Sequence, residues 1–191
     1  MPARSAAAPA PAAAGDRIVR RPLDPASLHV RIHDLFCNRW LLLCAGDFTL
    51  GRYNAMTVSW GSLGTMWNKP FAQVVVRPQR HTRGYLEEFG TFTLCAFRPA
   101  LRPALELLGS QSGRDGNKIA ASGLTPVAAS AVGAPVFAEA DLAIECRKIY
   151  WQDVDPRGFA APWVAANYPA GDFHRVYFGE IVAVQGTEAY G

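Results

Sequence analysis

The chain has 191 residues, of which 50% are hydrophobic and 18% charged, and its formal net charge is +3. This size and composition predict a single domain with one sizeable core. Because no five lysines or arginines occur in a row, neither a nucleic acid nor an anionic membrane is expected as the main partner, and no apolar run approaches the ~20 residues of a membrane span.

The first fifteen residues are rich in alanine and proline. They lack the apolar core of a signal peptide, and their prolines oppose a helix. We therefore predict a disordered tail and lead-in over residues 1–24 and a single domain over residues 25–191. The four cysteines form no C-x-x-C pair and have no histidine at metal-ligand spacing, which predicts a reduced, cytoplasmic chain without a metal site. A disulfide between two of them is an open alternative.

The remaining chain alternates short strands with a few short helices. A helix is predicted from Ala26 to about Phe36, with Leu28, Ile32 and Leu35 as its buried stripe, and a partly extended segment is the alternative. Gly61–Pro70 is predicted as a loop because it contains two glycines and a proline. There is no regular βαβ alternation and no G-x-G-x-x-G after a strand, so the sequence disfavours a Rossmann fold and favours a closed or partly closed antiparallel β-barrel. The predicted strands are Trp40–Ala45, Tyr53–Trp60, Phe71–Val76, Thr91–Phe97, Leu142–Trp151 and Tyr177–Gln185, and the other helices are Thr82–Phe89, Pro103–Leu108 and Asn117–Ser122.

The stretch 54–61 has a strand face made of small and hydroxylic side chains. Because side chains alternate along a strand, Ala55, Thr57, Ser59 and Gly61 share one side. A flat heterocycle can approach the backbone of such a face and take hydrogen bonds from main-chain and hydroxyl groups. An ordinary solvent-facing strand is the alternative interpretation.

Two further stretches combine positive charge with a place to bind an anion. Arg77–Thr82 joins a strand end to a predicted helix, where free backbone N–H groups favour a phosphate. Gly109–Lys118 is a loop of small residues with two hydroxyls, an arginine and a lysine, but it lacks the G-K-[ST] of a nucleotide-triphosphatase loop. A solvated basic loop and a plain flexible loop are the respective alternatives.

His174 lies just before a predicted strand, where its side chain can face a pocket. It is a candidate to orient a nicotinamide or another substrate, and a hydrogen-bonded structural histidine is the alternative. No G-x-S-x-G elbow and no nucleophile–base arrangement supports a hydrolase.

Taken together, these stretches resemble the flavin reductase-like family, in its flavoredoxin branch of FMN-binding split barrels. The motifs occur in the family's order and cover about residues 35–185. They are N-A-M-T-V-S-W-G at 54–61, W-N-K-P at 67–70, V-R-P-Q-R-H-T at 76–82, G-S-Q-S-G-R-D-G-N-K at 109–118, G-L-T-P at 123–126, E-C-R-K-I-Y at 145–150 and D-F-H-R-V-Y-F-G-E-I at 172–181.

The resemblance implies a mainly β fold, a six-stranded antiparallel Greek-key split β-barrel with a few short helices. It also implies a homodimer with one FMN in each cleft near the dimer interface, and it places His174 on the side of the nicotinamide or acceptor. The residues implied to bind the cofactor are Asn54, Met56, Thr57, Val58, Ser59, Trp60 and Gly61 near the isoalloxazine, and Arg77, Arg80, His81, Thr82, Ser110, Ser112, Gly113 and Lys118 toward the phosphate and ribityl chain.

The sequence departs from the family pattern in four places, one of which is the Ala/Pro-rich tail, since the family has no counterpart to it. His81 stands where an aromatic residue is usual, and Gln111 stands where a lysine is frequent. The segment 158–171 has no clear counterpart, which points to a reshaped acceptor pocket.

The function that follows is hydride transfer from NADH or NADPH to FMN and delivery of electrons to an acceptor, such as a partner monooxygenase. An FMN electron-transfer protein without a nicotinamide site is one alternative. A non-enzymatic flavin-binding module on the same barrel is another.

Overall fold

A computed structural model describes residues 18–191, which form a mainly antiparallel β fold with few helices. The main sheet has eight strands in the order β3-β2-β6-β9-β10-β5-β4, with β1 paired to β10, and β7 and β8 form a separate pair. The strands are β1 Arg21–Leu23, β2 Leu41–Asp47, β3 Arg52–Val58, β4 Gly61–Met66, β5 Lys69–Val76, β6 Thr91–Ala96, β7 Pro126–Val127, β8 Val136–Phe137, β9 Leu142–Asp153 and β10 Arg175–Gly186, and the helices are α1 His81–Glu88, α2 Arg102–Ser110, α3 Lys118–Ser122 and α4 Pro162–Ala165.

Strand β2 lies between two apolar cores, which explains its unbroken apolar sequence. Leu41 and Leu43 point into the barrel interior, whereas Leu42 and Cys44 point outward beneath α2. Since both faces of the strand are covered, both carry apolar side chains. Helix α2 thereby becomes fixed against the neighbouring strand β3, where it forms one wall of the candidate site described below.

The split-barrel prediction is confirmed, although the main sheet has eight strands rather than six. One additional strand, β4, lies in the predicted loop Gly61–Pro70, so that prediction is wrong. The chain reverses through Trp67 and Asn68, both with positive φ, between the paired residues Met66 and Lys69. A two-residue turn of this kind matches the twist of the flanking strands, so glycine and polar residues here mark a hairpin rather than a loop.

The predicted helix from Ala26 to Phe36 is only partly present, because residues 28–31 are not helical. Pro25–Ser27 forms only one 3₁₀ turn, capped by Asp24, and a π-helix follows at Asp34–Arg39. The apolar residues Leu28, Ile32 and Leu35 still pack on the barrel core, so their burial was anticipated while the backbone conformation was not.

Residues 18–24 include a strand, because Arg21–Leu23 pairs with Val184–Gly186 of β10. The part of the predicted tail up to residue 17 lies outside the described residues. Cys37 is exposed and the other three cysteines are buried, and all four are free. Among residues 18–191 there is no group of three or more side chains that could hold a metal ion, and no helix is long and apolar enough to cross a membrane.

Candidate functional site

A cleft of about 280 Å³ opens where the sheet does not close, between the end of β3 and the end of β5. All but two of its lining residues were predicted from the sequence; Val75 and Gly109 are the additions. The lining residues are Met56, Thr57, Val58, Ser59, Trp60, Val75, Arg77, Arg80, Gly109 and His174.

The wall formed by β3 is the edge of the main sheet. Residues 52–58 pair with β2 on one side, and no strand of the described chain pairs with the other side. Alternate backbone N–H and C=O groups on that side are therefore free to bond a ligand.

The small face of β3 is covered in part by α2. The Thr57 hydroxyl donates a hydrogen bond of 2.5 Å to the carbonyl of Leu105, and Ala55 is fully buried. A Cβ at Gly109 would lie 3.2 Å from the Cβ of Thr57, so the absence of a side chain keeps α2 close to the strand. Thr57 and Ser59, rather than the whole face, border the open cleft.

Arg80 supplies the cleft with positive charge. It immediately precedes α1, and within residues 18–191 no carboxylate forms an ion pair with it. Burial lowers the pKa of its guanidinium, yet arginine remains charged at neutral pH. A partly buried cation without an acidic partner favours an anionic ligand.

Arg77 lines the same cleft, but other residues of the protein already pair with its charge and accept its hydrogen bonds. It forms an ion pair with Asp172 and donates a 2.8 Å hydrogen bond to the carbonyl of Asn167. Its guanidinium also lies 5.2 Å from the ring centroid of Tyr168. Arg77 thus anchors the segment between β9 and β10, and its charge is largely neutralised there.

His174 is buried at the far side of the cleft, where its imidazole lies beside two aromatic rings. Its Nδ1 is 2.9 Å from the hydroxyl of Tyr168, and its ring centroid is 5.2 Å from that of Trp60. Burial, assisted by the positive charge of Arg77 and opposed by Asp172, lowers the pKa of His174 to about 4. The imidazole is therefore neutral at pH 7.

Four of the predicted residues dock the 109–118 loop against the start of α1. Asn54 donates a 2.8 Å hydrogen bond to the hydroxyl of Thr82. A Cβ at Gly113 would lie 2.4 Å from Oδ1 of Asn54 and 3.0 Å from the ring of His81, so glycine permits this close approach. These residues border the phosphate side of the predicted site without lining the cleft itself.

Lys118 points into the base of the same loop. It is buried, and its ammonium donates to the carbonyls of Leu108 and Gln111, at 2.7 and 3.0 Å. Burial, with a smaller effect of the nearby Arg80 charge, lowers the pKa of Lys118 to about 8. In this geometry Lys118 holds the end of α2 and the start of the loop together.

The remaining predicted residues lie at the margins. Ser110 lines a second cavity of about 470 Å³, which shares Thr57 and Ser59 with the cleft. The Ser112 hydroxyl accepts a hydrogen bond of 3.2 Å from the backbone N–H of Arg114. Gly61 lets β4 approach β5, since a Cβ there would lie 2.4 Å from the carbonyl oxygen of Gln73.

Comparison with known proteins places this arrangement in a family. The model of the flavin reductase like domain matches residues 36–190. No curated relative matches the chain.

Solved structures with the same fold share few identical residues with the chain. An FMN-binding domain of a flavin reductases-like enzyme from Shewanella baltica OS155 has a TM-score of 0.64 at 19% identity, with 88% of this chain and 77% of that chain covered. Flavoredoxin of Desulfovibrio vulgaris (Miyazaki F) has a TM-score of 0.62 at 24% identity, with 84% and 75% covered. An NADH:FAD oxidoreductase from Streptomyces globisporus C-1027 has a TM-score of 0.59 at 15% identity, with 80% and 77% covered.

The three solved structures show that the fold is shared. The family model shows in addition that the sequence matches over most of the chain. The motifs that suggested the family also converge, because the β3 edge, Arg80 and His174 meet at one opening of the split barrel. The chain belongs to the flavin reductase-like family of split-barrel proteins.

Proposed function

We propose that the chain binds FMN in the cleft between β3 and β5 and reduces it with NADH or NADPH. The observation that carries this proposal is the meeting, in one cleft, of an unpaired strand edge with an arginine that has no acidic partner. A flavin ring needs backbone and hydroxyl partners along its polar edge, and its phosphate needs a cation. The residues present therefore fit FMN.

Each wall of the cleft has a distinct task in this proposal. The β3 edge, with Thr57 and Ser59, orients the ring, and Arg80 binds the phosphate. Trp60 and His174 face the ring from the other side and limit the access of water. The neutral imidazole of His174 offers a hydrogen-bonding group without adding charge. When bound, FMN supplies the hydride-accepting and electron-passing chemistry.

Anaerobic stopped-flow mixing of the FMN-loaded protein with NADH or NADPH tests the reductase proposal. We expect rapid loss of the flavin's visible absorbance with at least one of the two donors. The name of the Streptomyces relative, an NADH:FAD oxidoreductase, supports this outcome. Tight FMN binding without useful reduction by either donor would instead establish an electron-transfer protein, the function suggested by the flavoredoxin relative. The acceptor that we propose is a partner monooxygenase or another oxidant that receives electrons from the reduced flavin.

We also propose that the chain forms a homodimer through the outer face of β5, β9 and β10. Trp67, Tyr150 and Phe178 form a chain of ring contacts there, with centroids 6.0 and 5.6 Å apart, and Trp67 and Tyr150 are exposed. Contiguous exposed aromatic surface is typical of an interface. Since Val75 is on the same side of β5 as Gln73 and Phe71, this face continues to the cleft.

Replacing Tyr150 with glutamate is expected to convert a two-chain assembly into single chains, because a charge in an apolar interface loses its hydration. Light scattering during size-exclusion chromatography at micromolar concentration measures the mass. Trp163→Glu is the matched control, since Trp163 is exposed on α4 outside this face. A wild-type protein that is already monomeric would contradict the proposal.

A further inference from the structure

The segment between β9 and β10 places an aromatic cluster beside the cleft. Phe159, Tyr168 and Phe173 contact one another, with ring centroids 5.1 to 6.0 Å apart. Residues 158–171 have no clear counterpart in the family pattern, so the family alone does not define what this segment contributes to the site. One member of the cluster, Tyr168, reaches the cleft residue His174.

Tyr168 is fixed by contacts that lie outside the cleft. Its backbone N–H donates a 2.9 Å hydrogen bond to the carbonyl of Ala165. Arg77 holds the chain on either side of it, through the carbonyl of Asn167 and the carboxylate of Asp172. The same guanidinium lies 5.2 Å from the ring centroid of Tyr168. The position of the tyrosine hydroxyl is therefore set by the protein itself.

The hydroxyl of Tyr168 is the donor in its contact with His174. Its Oη lies 2.9 Å from Nδ1. A phenol is a stronger acid than the N–H of a neutral imidazole, and an unprotonated imidazole nitrogen is a good acceptor, so the O–H donates and Nδ1 accepts. At pH 7 the imidazole is neutral and carries one proton. Because Nδ1 accepts a hydrogen bond, that proton lies on Nε2.

The Nε2–H group of His174 is left for a ligand. Nδ1 is turned toward Tyr168, which does not line the cleft, whereas His174 does. Within residues 18–191 the imidazole forms no second hydrogen bond, although only 7% of the residue is exposed. A purely structural histidine would satisfy both of its nitrogens within the protein, because a buried N–H without a partner costs free energy. The arrangement therefore matches a donor that a bound molecule completes.

We infer that Tyr168 is a positioning residue that holds the imidazole of His174 with its Nε2–H directed into the cleft, where it binds a carbonyl oxygen of a redox ring. The inference rests on the proposed function for the identity of that ring, whereas the orientation of the imidazole does not depend on it. An isoalloxazine and the carboxamide of a nicotinamide both offer such an oxygen. The shared chemistry is a planar ring system with a carbonyl acceptor, which lies beside Trp60 and His174.

Nitrogen NMR of the imidazole tests the positioning role without flavin or turnover. In nitrogen-labelled protein at pH 7, we expect Nε2 of His174 to be protonated and Nδ1 to be unprotonated and hydrogen-bonded. Tyr168→Phe keeps the ring but removes the donor, so the Nδ1 signal should shift downfield, toward that of a free nitrogen. A protonated Nδ1 in the wild type, or an unchanged Nδ1 signal in Tyr168→Phe, would overturn the inference.

Tyr85→Phe is the matched control for removal of a hydroxyl beside a histidine. Tyr85 packs edge-on against His81, with ring centroids 5.4 Å apart. Its variant should leave the nitrogen signals of His174 unchanged, and a shift as large as that in Tyr168→Phe would also count against the inference. Since the chain has four histidines, His174→Gln identifies the signals that belong to residue 174.

Two additions identify the ring that accepts the hydrogen bond. If it is the isoalloxazine, saturating FMN alone shifts the Nε2–H proton signal downfield. If it is the carboxamide, the signal shifts only when the FMN-loaded protein also receives a tetrahydro analogue of NADH or NADPH, which keeps the carboxamide but cannot donate a hydride. A chain that binds no FMN would fail the proposed function, while the Nδ1 signal would still decide the role of Tyr168. FMN binding with no shift after either addition would overturn the Nε2–H contact alone.

Discussion

Replacing Arg80 with methionine is expected to weaken FMN binding about thirty- to hundredfold, since a hydrogen-bonded charge pair contributes about 2–3 kcal/mol. Arg80 is the cation of the cleft without a carboxylate partner among the described residues. Its charge and fork of donors are therefore available to a phosphate. Because Arg80 forms no ion pair with the protein, the free energy of unfolding should change little.

Arg77→Met is the matched comparison, since both arginines line the same cleft. Arg77 is held by Asp172 and by the carbonyl of Asn167, so its removal leaves a carboxylate without its partner. We expect this variant to lose about 1–2 kcal/mol of stability and less FMN affinity than Arg80→Met. Quenching of FMN fluorescence gives the affinities, and urea unfolding gives the stabilities. If Arg77→Met weakened FMN binding more than Arg80→Met does, Arg77 would be the phosphate ligand.

Acidification from pH 6.5 to pH 4 is expected to destabilise the protein by up to about 3 kcal/mol through His174 alone. The folded-state pKa of this residue is lowered from 6.5 to about 4. Between these values the unfolded chain binds a proton at residue 174 that the folded chain does not. The free energy of unfolding therefore rises with pH across this window. Above pH 6.5 the stability that His174 loses on acidification is fully recovered.

Urea unfolding at several pH values measures this slope, with His174→Gln and His33→Gln compared to the wild type. Glutamine keeps a hydrogen-bonding group near Tyr168 but does not titrate. His33 is exposed, so its variant should retain the wild-type slope. A wild-type slope in His174→Gln would mean that the imidazole titrates normally and is not held neutral by the cleft.

Much of the fold could be predicted because its signals are local. The β-branched and aromatic runs at residues 71–76, 91–96 and 177–185 all lie in strands. The predicted helices after Thr82 and Pro103 are also present, shifted by one or two residues. Most of the cleft was anticipated for the same reason, because residues 56–60 are consecutive and lie at the end of one strand.

The errors arose where the deciding contact is distant in sequence. Arg77 and Arg80 are equivalent in the sequence, yet only Arg77 meets Asp172, 95 residues away. A lysine in a loop of small residues is typical of a phosphate ligand, but the ammonium of Lys118 donates hydrogen bonds to the carbonyls of Leu108 and Gln111. The left-handed backbone of Trp40 has no sequence signal, since tryptophan rarely adopts it.

Equilibrium titration with FMN decides whether the cleft between β3 and β5 holds the cofactor. Fluorescence quenching is followed in the wild type and in Ser59→Phe, a variant whose ring would fill the cleft, with circular dichroism confirming that both are folded. We expect one FMN bound per wild-type chain and loss of binding in Ser59→Phe. A wild-type protein that binds no FMN, or a folded Ser59→Phe variant that binds it with unchanged affinity, would show that this cleft is not the FMN site.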